Sequence, residues 1–297
     1  MYIVASGHSP ATHKIPPIFA SSRFKIALEI NVVKKAIKYA LAFGFLTAVA
    51  IPVCAAVDII PCAPGNRWEY DCVKVLRAKI SLEGQTMATL YDPASGTSVY
   101  EVLGADTKVK PTVYDYCEST RMKSLNGNTD DSKTQMNITN DGGILKILST
   151  AHESSAEKET KKQSYDPALT YFTKDAVAGK SWNVGVMRDE DIRTPVTAHG
   201  AGKETVTVPA GTFKDCVKVI YSSDDVSGTM QMWGQTFTLT AAHTRGIYWV
   251  ADGVGVVKEM EVNTSTAQAE GPEGKPVNVE YADCVISELK PGYTVKN

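Results

Sequence analysis

Three histidines, His152, His199 and His243, are the residues after position 57 best suited to acid-base or metal chemistry near neutral pH. They stand too far apart in the sequence for metal-ligand spacing, and His199 lies beside Gly200 and Gly202 in a polar segment. The chain also lacks the Gly-x-Ser-x-Gly motif of α/β-hydrolases and the His-Glu-x-x-His motif of zinc proteases. Motifs therefore assign no catalytic residue and no metal ligand. A hydrolase with a site assembled from distant residues remains an alternative.

Two segments come close to ligand-binding loops without meeting their requirements. Ala178-Gly-Lys-Ser181 matches the end of a phosphate-binding loop, but Lys174 stands where that loop needs its first glycine. The acidic segment 126–133 could hold calcium, but it lacks the required glycine and glutamate at the sixth and twelfth positions. We interpret both segments as turns and expect no cofactor.

The N-terminal region has the three-part layout of a secretory signal peptide. Lys34, Lys35 and Lys38 precede an apolar run over residues 39–53, which small residues follow. This run is shorter than the roughly 20 residues of a membrane-spanning helix. We expect cleavage between Ala56 and Val57, which predicts a periplasmic or secreted bacterial protein. Residues 1–32 then reflect a misassigned start or an unstructured extension.

Cleavage there leaves 25 basic and 32 acidic residues, a net charge of −7. An acidic exported protein has no electrostatic reason to bind nucleic acid. We expect its partner to be a lipid or acyl-type ligand or another envelope protein.

Five cysteines follow the predicted cleavage site, and an oxidising compartment would favour disulfides among them. Their positions are Cys62, Cys72, Cys117, Cys216 and Cys284. Because Cys72 and Cys117 lie in aromatic, strand-like segments, we predict that these two form a disulfide. Cys216 and Cys284 are the other candidates.

Alternation of polar and apolar residues with a period of two runs through the chain after residue 57. It places Trp68, Tyr70 and Cys72 on one face of a first strand. Similar runs occupy residues 97–103, 110–117, 135–138, 144–149, 205–208, 216–221, 229–233, 236–242, 246–250, 255–262 and 277–289. We predict an all-β protein, a large twisted antiparallel sheet forming a half-barrel or a sandwich, after an N-terminal signal helix. Residues 57–164 and 165–297 are expected to form two β-rich halves of one continuous sheet.

Three tryptophans each follow a glycine by three residues: Trp68, Trp182 and Trp249. We favour a packing role for them, at the start of a strand, over a carbohydrate-stacking role. Pro209-Ala-Gly211 predicts a turn between two strands, with Gly211 at a positive φ.

The segments Gly179-Lys-Ser-Trp182, 204–219 and 248–258, in this order, resemble the TapB-like, domain-of-unknown-function 3108-like family of exported bacterial proteins. The resemblance covers about residues 165–289, and residues 65–70 fit its usual opening. It implies a β-rich secreted domain, with no assigned reaction and no catalytic residues.

Five valines are more apolar than the exposed face of a sheet requires: Val217, Val219, Val254, Val256 and Val257. Either a second layer buries them or they line a groove that is open to an acyl chain or an apolar peptide. Our hypothesis is the groove. The function that the sequence favours is thus a non-catalytic binding module of the envelope, with a secreted hydrolase or a surface-assembly subunit as alternatives.

Overall fold

The computed structural model describes residues 61–141, 143–155, 160–189, 191–232, 235–271 and 274–296. The predicted signal peptide and its cleavage site at Ala56 and Val57 lie outside the described residues. No helix in these ranges is long and apolar enough to cross a membrane.

Thirteen strands and one short 3-10 helix, Lys174–Ala176, make up the described fold. The strands are β1 Arg67–Leu82, β2 Gln85–Asp106, β3 Val113–Ser124, β4 Thr129–Asp141, β5 Ile144–Ser154, β6 Lys161–Phe172, β7 Ser181–Asp189, β8 Ile192–Val208, β9 Gly211–Ser223, β10 Thr229–Met232, β11 Gln235–Ala251, β12 Gly255–Glu270 and β13 Pro276–Leu289. The all-β prediction is confirmed.

All thirteen strands belong to one antiparallel sheet, in the order β6-β5-β4-β3-β2-β1-β13-β12-β11-β9-β8-β7, with β10 pairing β11. The sheet therefore consists of two meanders that join where β1 pairs β13, as in the pair Lys74 and Val285. It curls until the edge strands β6 and β7 meet through side chains. There the indole of Trp182 donates a hydrogen bond to the carbonyl of Thr170 at 3.0 Å. The result is a nearly closed, barrel-like sheet.

Aromatic side chains fill the inner face of the sheet. Trp68, Tyr70, Tyr100 and Tyr116 are at most 1% exposed, and the rings of Tyr70 and Tyr100 pack edge to face at 5.3 Å. The indole of Trp68 donates a hydrogen bond to the carbonyl of Val254 at 2.8 Å. This bond links β1 to the turn before β12, which supports a packing role for this tryptophan.

The groove predicted at the five valines is not present. Val217, Val219, Val256 and Val257 are buried in the main core, and Val254 packs against it half-buried. They pack in one cluster with large aromatic side chains such as Tyr70, Tyr221 and Tyr248, so we correct this interpretation.

The predicted disulfide between Cys72 and Cys117 is also wrong, because neither residue forms a disulfide in the described structure. Cys72 faces inward from β1, where its thiol lies 3.4 Å from the hydroxyl of Ser287. Cys117 lies on β3, between the inward-facing Tyr116 and Glu118, so strand alternation turns it outward. With β2 between their strands and opposite faces of the sheet, the two thiols cannot meet.

Candidate functional site

A layer of polar side chains interrupts the apolar interior of the sheet. We call it the polar belt and define it as Glu118, Glu259, Glu261, Asn263 and Asp283, each of which is at most 5% exposed. On β12 it lies between the main core, which contains Val257, and a second apolar cluster that contains Ala267. Four buried carboxyl groups at one level are unusual, because burial strongly disfavours a carboxylate.

Hydroxyl groups surround the carboxyl of Glu118. Tyr100, Thr120 and Ser98 donate hydrogen bonds to its Oε1 at 2.9, 3.0 and 3.1 Å. Burial nevertheless raises the pKa of Glu118 to about 7, against the lowering effect of these donors. Near neutral pH this group is therefore poised between its two protonation states.

The alternation of β12 directs Glu259 and Glu261 to the same side. Burial raises the pKa of Glu259 to about 8, with a smaller contribution from the charge of Glu118 and an opposing one from the hydroxyl of Ser287. Burial and the charge of Glu259 raise the pKa of Glu261 well above its ordinary value, and the phenol of Tyr248 donates a hydrogen bond to it. Glu259 is therefore mainly protonated at neutral pH.

Several belt oxygens have no hydrogen-bond partner among the described residues. These oxygens are Glu118 Oε2, Glu259 Oε2, Asn263 Oδ1 and both carboxyl oxygens of Asp283. The nearest cation to the belt is Lys74, whose Nζ lies 3.6 Å from Asp283 Oδ2. The belt is enclosed, and three of its carboxyl groups, those of Glu118, Glu259 and Glu261, have raised pKa values.

A cleft of about 360 Å³ lies on the opposite, outer face of the sheet, across β1, β13, β12 and β11. We call it the outer cleft. Two cross-strand rows form it, Arg77–Ala282–Thr264–His243 and Lys79–Glu280–Thr266–Ala241. Longer side chains at the ends of the first row rise above the small residues between them, which creates the concavity.

The charges of the outer cleft are only partly compensated. Lys79 Nζ pairs with Glu280 Oε1 at 2.8 Å, and His243 Nδ1 lies 3.2 Å from Asp224 Oδ1. Arg77 and Arg245, both exposed, form no ion pair and no hydrogen bond through their guanidinium groups with any described residue. Arg245 follows His243 by two residues on the same face of β11. One free guanidinium group, that of Arg77, therefore lines the cleft, and a second, that of Arg245, lies in the adjacent row.

His243 and Asp224 have the relative position of a base and its orienting carboxylate. The side chains are 57% and 82% exposed, and Thr264, the cross-strand neighbour of His243, forms no described hydrogen bond with the imidazole. A triad needs a nucleophile in contact with the base. The described residues supply none at His243.

The other residues singled out from the sequence lie apart from the outer cleft. His152 is buried beside Thr134, whose Oγ1 lies 3.0 Å from its Nδ1, and burial lowers its pKa to about 4. His199 is exposed on β8. Pro209 and Gly211 form the turn between β8 and β9, with Gly211 at a φ of 133°. Of the histidines considered, only His243 reaches the cleft.

Sequence reasoning missed Arg77 and Arg245. Their positions in strand-like segments could have indicated that they face outward. What brings them to one side of the sheet is the order β1-β13-β12-β11. This order depends on the pairing of β1 with β13, in which Arg77 pairs with Ala282, and so distant a pairing has no local signal.

Comparison with protein families supports the resemblance that the sequence motifs indicate. Residues 199–267 match the model of the DUF3108-like family, so the resemblance predicted from the sequence is confirmed over this range. No curated protein matches the chain.

Two solved structures also align. One is a "putative lipoprotein" from Parabacteroides distasonis, at 16% identity and a TM-score of 0.32, covering 80% of this chain and 100% of that one. The other is a "putative exported protein with YmcC-like fold" from Bacteroides fragilis, at 14% identity and a TM-score of 0.29, covering 80% and 99%. Likenesses at this level support no functional conclusion.

Proposed function

We propose that the protein is an exported, non-catalytic binding module of the bacterial cell envelope, periplasmic or secreted, and that it binds an anionic ligand in the outer cleft. The observation that carries the proposal is the unpartnered guanidinium group of Arg77 in the wall of the cleft. A second unpartnered guanidinium group, that of Arg245, lies in the adjacent cross-strand row. The signal-peptide pattern and the family resemblance support the location.

Guanidinium groups suit this role because their planar donors match carboxylate and phosphate oxygens two at a time. Thr264 and Thr266 add hydroxyl donors inside the cleft, and the alanines beside them leave room for a ligand. A volume of about 360 Å³ falls within the usual range for small-molecule sites. The carboxylate of Glu280 is already engaged by Lys79, so it opposes an anion less than a free carboxylate would.

Calorimetric titration with inorganic phosphate, and separately with sulfate, tests the proposal. We expect saturable binding that Arg77→Gln and Arg245→Gln each weaken about tenfold, the effect of losing one charged hydrogen bond. Arg188→Gln is the matched control, since Arg188 is exposed on the edge strand β7, and it should leave binding unchanged.

Urea midpoints should show that the three variants fold equally well. If neither anion binds saturably, or if the control weakens binding as much as the cleft variants do, the proposed function is wrong.

A further inference from the structure

Where β1, β13 and β12 run side by side, ionisable residues face the interior of the sheet and apolar residues face outward, the reverse of the usual arrangement. At this level the inner face carries Lys74, Asp283, Glu259 and Glu261, all of which are largely buried. The outward positions between them carry apolar residues. We call these the apolar stripe: Val73, Val75, Met260, Val262, Cys284 and Ile286. The chain thus buries carboxyl groups while it keeps hydrophobic side chains at the surface.

The stripe is a continuous surface, as the strand register shows. Val73 pairs with Ile286, which pairs with Met260, and Val75 pairs with Cys284, which pairs with Val262. Val73 is 53% exposed and Val262 is 36% exposed, while the other four side chains are half-buried. Contiguous exposed apolar surface of this kind is typical of a binding site.

One border of the stripe is the outer cleft. The Val75–Cys284–Val262 row lies two residues along the strands from the Arg77–Ala282–Thr264 row, about 7 Å away. Arg245 ends the Val75–Cys284–Val262 row, because it pairs with Val262. A free positive charge therefore stands directly at the apolar surface.

The other border of the stripe is polar and electrically balanced. Beyond Val73, Ile286 and Met260, the next row contains Asp71, Glu288 and Lys258. Glu288 Oε1 lies 2.6 Å from the Nζ of Lys258, and Asp71 Oδ1 lies 3.4 Å from the Nζ of Lys290. From the arginine row to the Val73 row the surface extends about 14 Å along the strands. It is basic at one end, apolar along its length and neutral at the far end.

We propose that the outer cleft and the apolar stripe together bind one molecule of a single-chain amphiphile with an anionic head group, such as a long-chain carboxylate. The head group lies between Arg77 and Arg245, and the alkyl chain lies along the stripe. This inference rests on the function proposed above and names its ligand class. The acyl-type ligand that the sequence predicted for the interior would thus bind on the outer face instead, because the interior is filled.

The test is a calorimetric series with hexanoate, octanoate and decanoate, each below its micellar concentration, beside the phosphate titration. We expect affinity to rise about two- to fourfold for each methylene group, since the surface buries each group partly or fully. Arg77→Gln should weaken phosphate and decanoate alike.

Stripe variants separate this inference from the anion site itself. Val73→Thr and Val262→Thr keep a β-branched side chain, and they should weaken decanoate several-fold without changing phosphate affinity. Leu103→Thr is the matched control, because Leu103 is 55% exposed on β2 outside the stripe, and decanoate affinity should not change.

The outcomes are distinguishable. Phosphate binding without any dependence on alkyl length refutes the amphiphile and leaves the proposed anion site standing. Absence of binding by every anion refutes both. Binding to phosphatidylglycerol vesicles but not to monomeric decanoate refutes the single-molecule site, because it indicates docking to a membrane surface instead.

Discussion

Replacing Glu259 with glutamine should stabilise the fold above neutral pH and change its stability little in acid. Burial raises the pKa of Glu259 from 4.5 to about 8, so the folded protein holds this proton more tightly than the unfolded chain does. The resulting stabilisation is fully present below a pH of about 4.5 and is lost as the pH rises through about 8. Glutamine cannot ionise, and its carbonyl oxygen can still accept a hydrogen bond from Ser287.

The magnitude follows from linkage. Each unit by which the pKa is displaced corresponds to about 1.4 kcal/mol, which sets an upper limit of about 5 kcal/mol for Glu259. Because the charge of Glu118 contributes to the displacement, the two groups share part of this energy. We therefore expect Glu259→Gln to recover about 2 to 4 kcal/mol of unfolding free energy at a pH of about 9.

Urea unfolding at pH values of about 5, 7 and 9, followed by tryptophan fluorescence, measures the effect. The unmodified protein should lose stability across this series, and the variant should lose clearly less. Glu288→Gln is the control, because Glu288 is an outward, part-exposed glutamate paired with Lys258. In this control the unfolding free energy should fall with pH as steeply as in the unmodified protein. The reasoning is refuted if the unfolding free energy of Glu259→Gln falls equally steeply.

Three further predictions concern packing and the thiols. Gly246→Ala should lower the unfolding free energy by about 1 to 3 kcal/mol in urea titrations, because its Cβ would lie 2.8 Å from the ring of Tyr248; an unchanged midpoint would contradict this. Gly211→Val should cost about 1 to 3 kcal/mol, because valine resists the positive φ of the turn, and a urea midpoint equal to that of the unmodified protein would refute it. Thiol titration of the folded protein should modify Cys284 first, because the other four described cysteines are buried, and unreduced unfolded protein should release all five. Fewer than five would show that a disulfide forms.

The strands were predictable because alternation is a local property. The pattern around Trp68, Tyr70 and Cys72 indicates both a strand and the face that packs, and β1 has this arrangement. The turn at Pro209 and Gly211 was predictable for the same reason, since its residue types alone favour it.

The faces of β12 could not be predicted in this way. Glu259-Met-Glu-Val262 would normally place its carboxylates in water and its apolar residues in the core. The structure does the reverse, because Val257 continues the inner face and every second residue must follow it. Only the pairing of β12 with β11 and β13 fixes that register, and this pairing is not encoded in any short segment.

The neighbourhood of β1 and β13 has a consequence for the order of folding. A ribosome produces β1 first among the strands and β13 last. The edge of β1 that pairs with β13 therefore stays unpaired until the other strands have been made. Pairing between such distant segments is slow, and an unpaired edge strand invites association with other chains. A chain that stops before Pro276 would leave two long edges, on β1 and on β12, permanently open, and self-association is its expected fate.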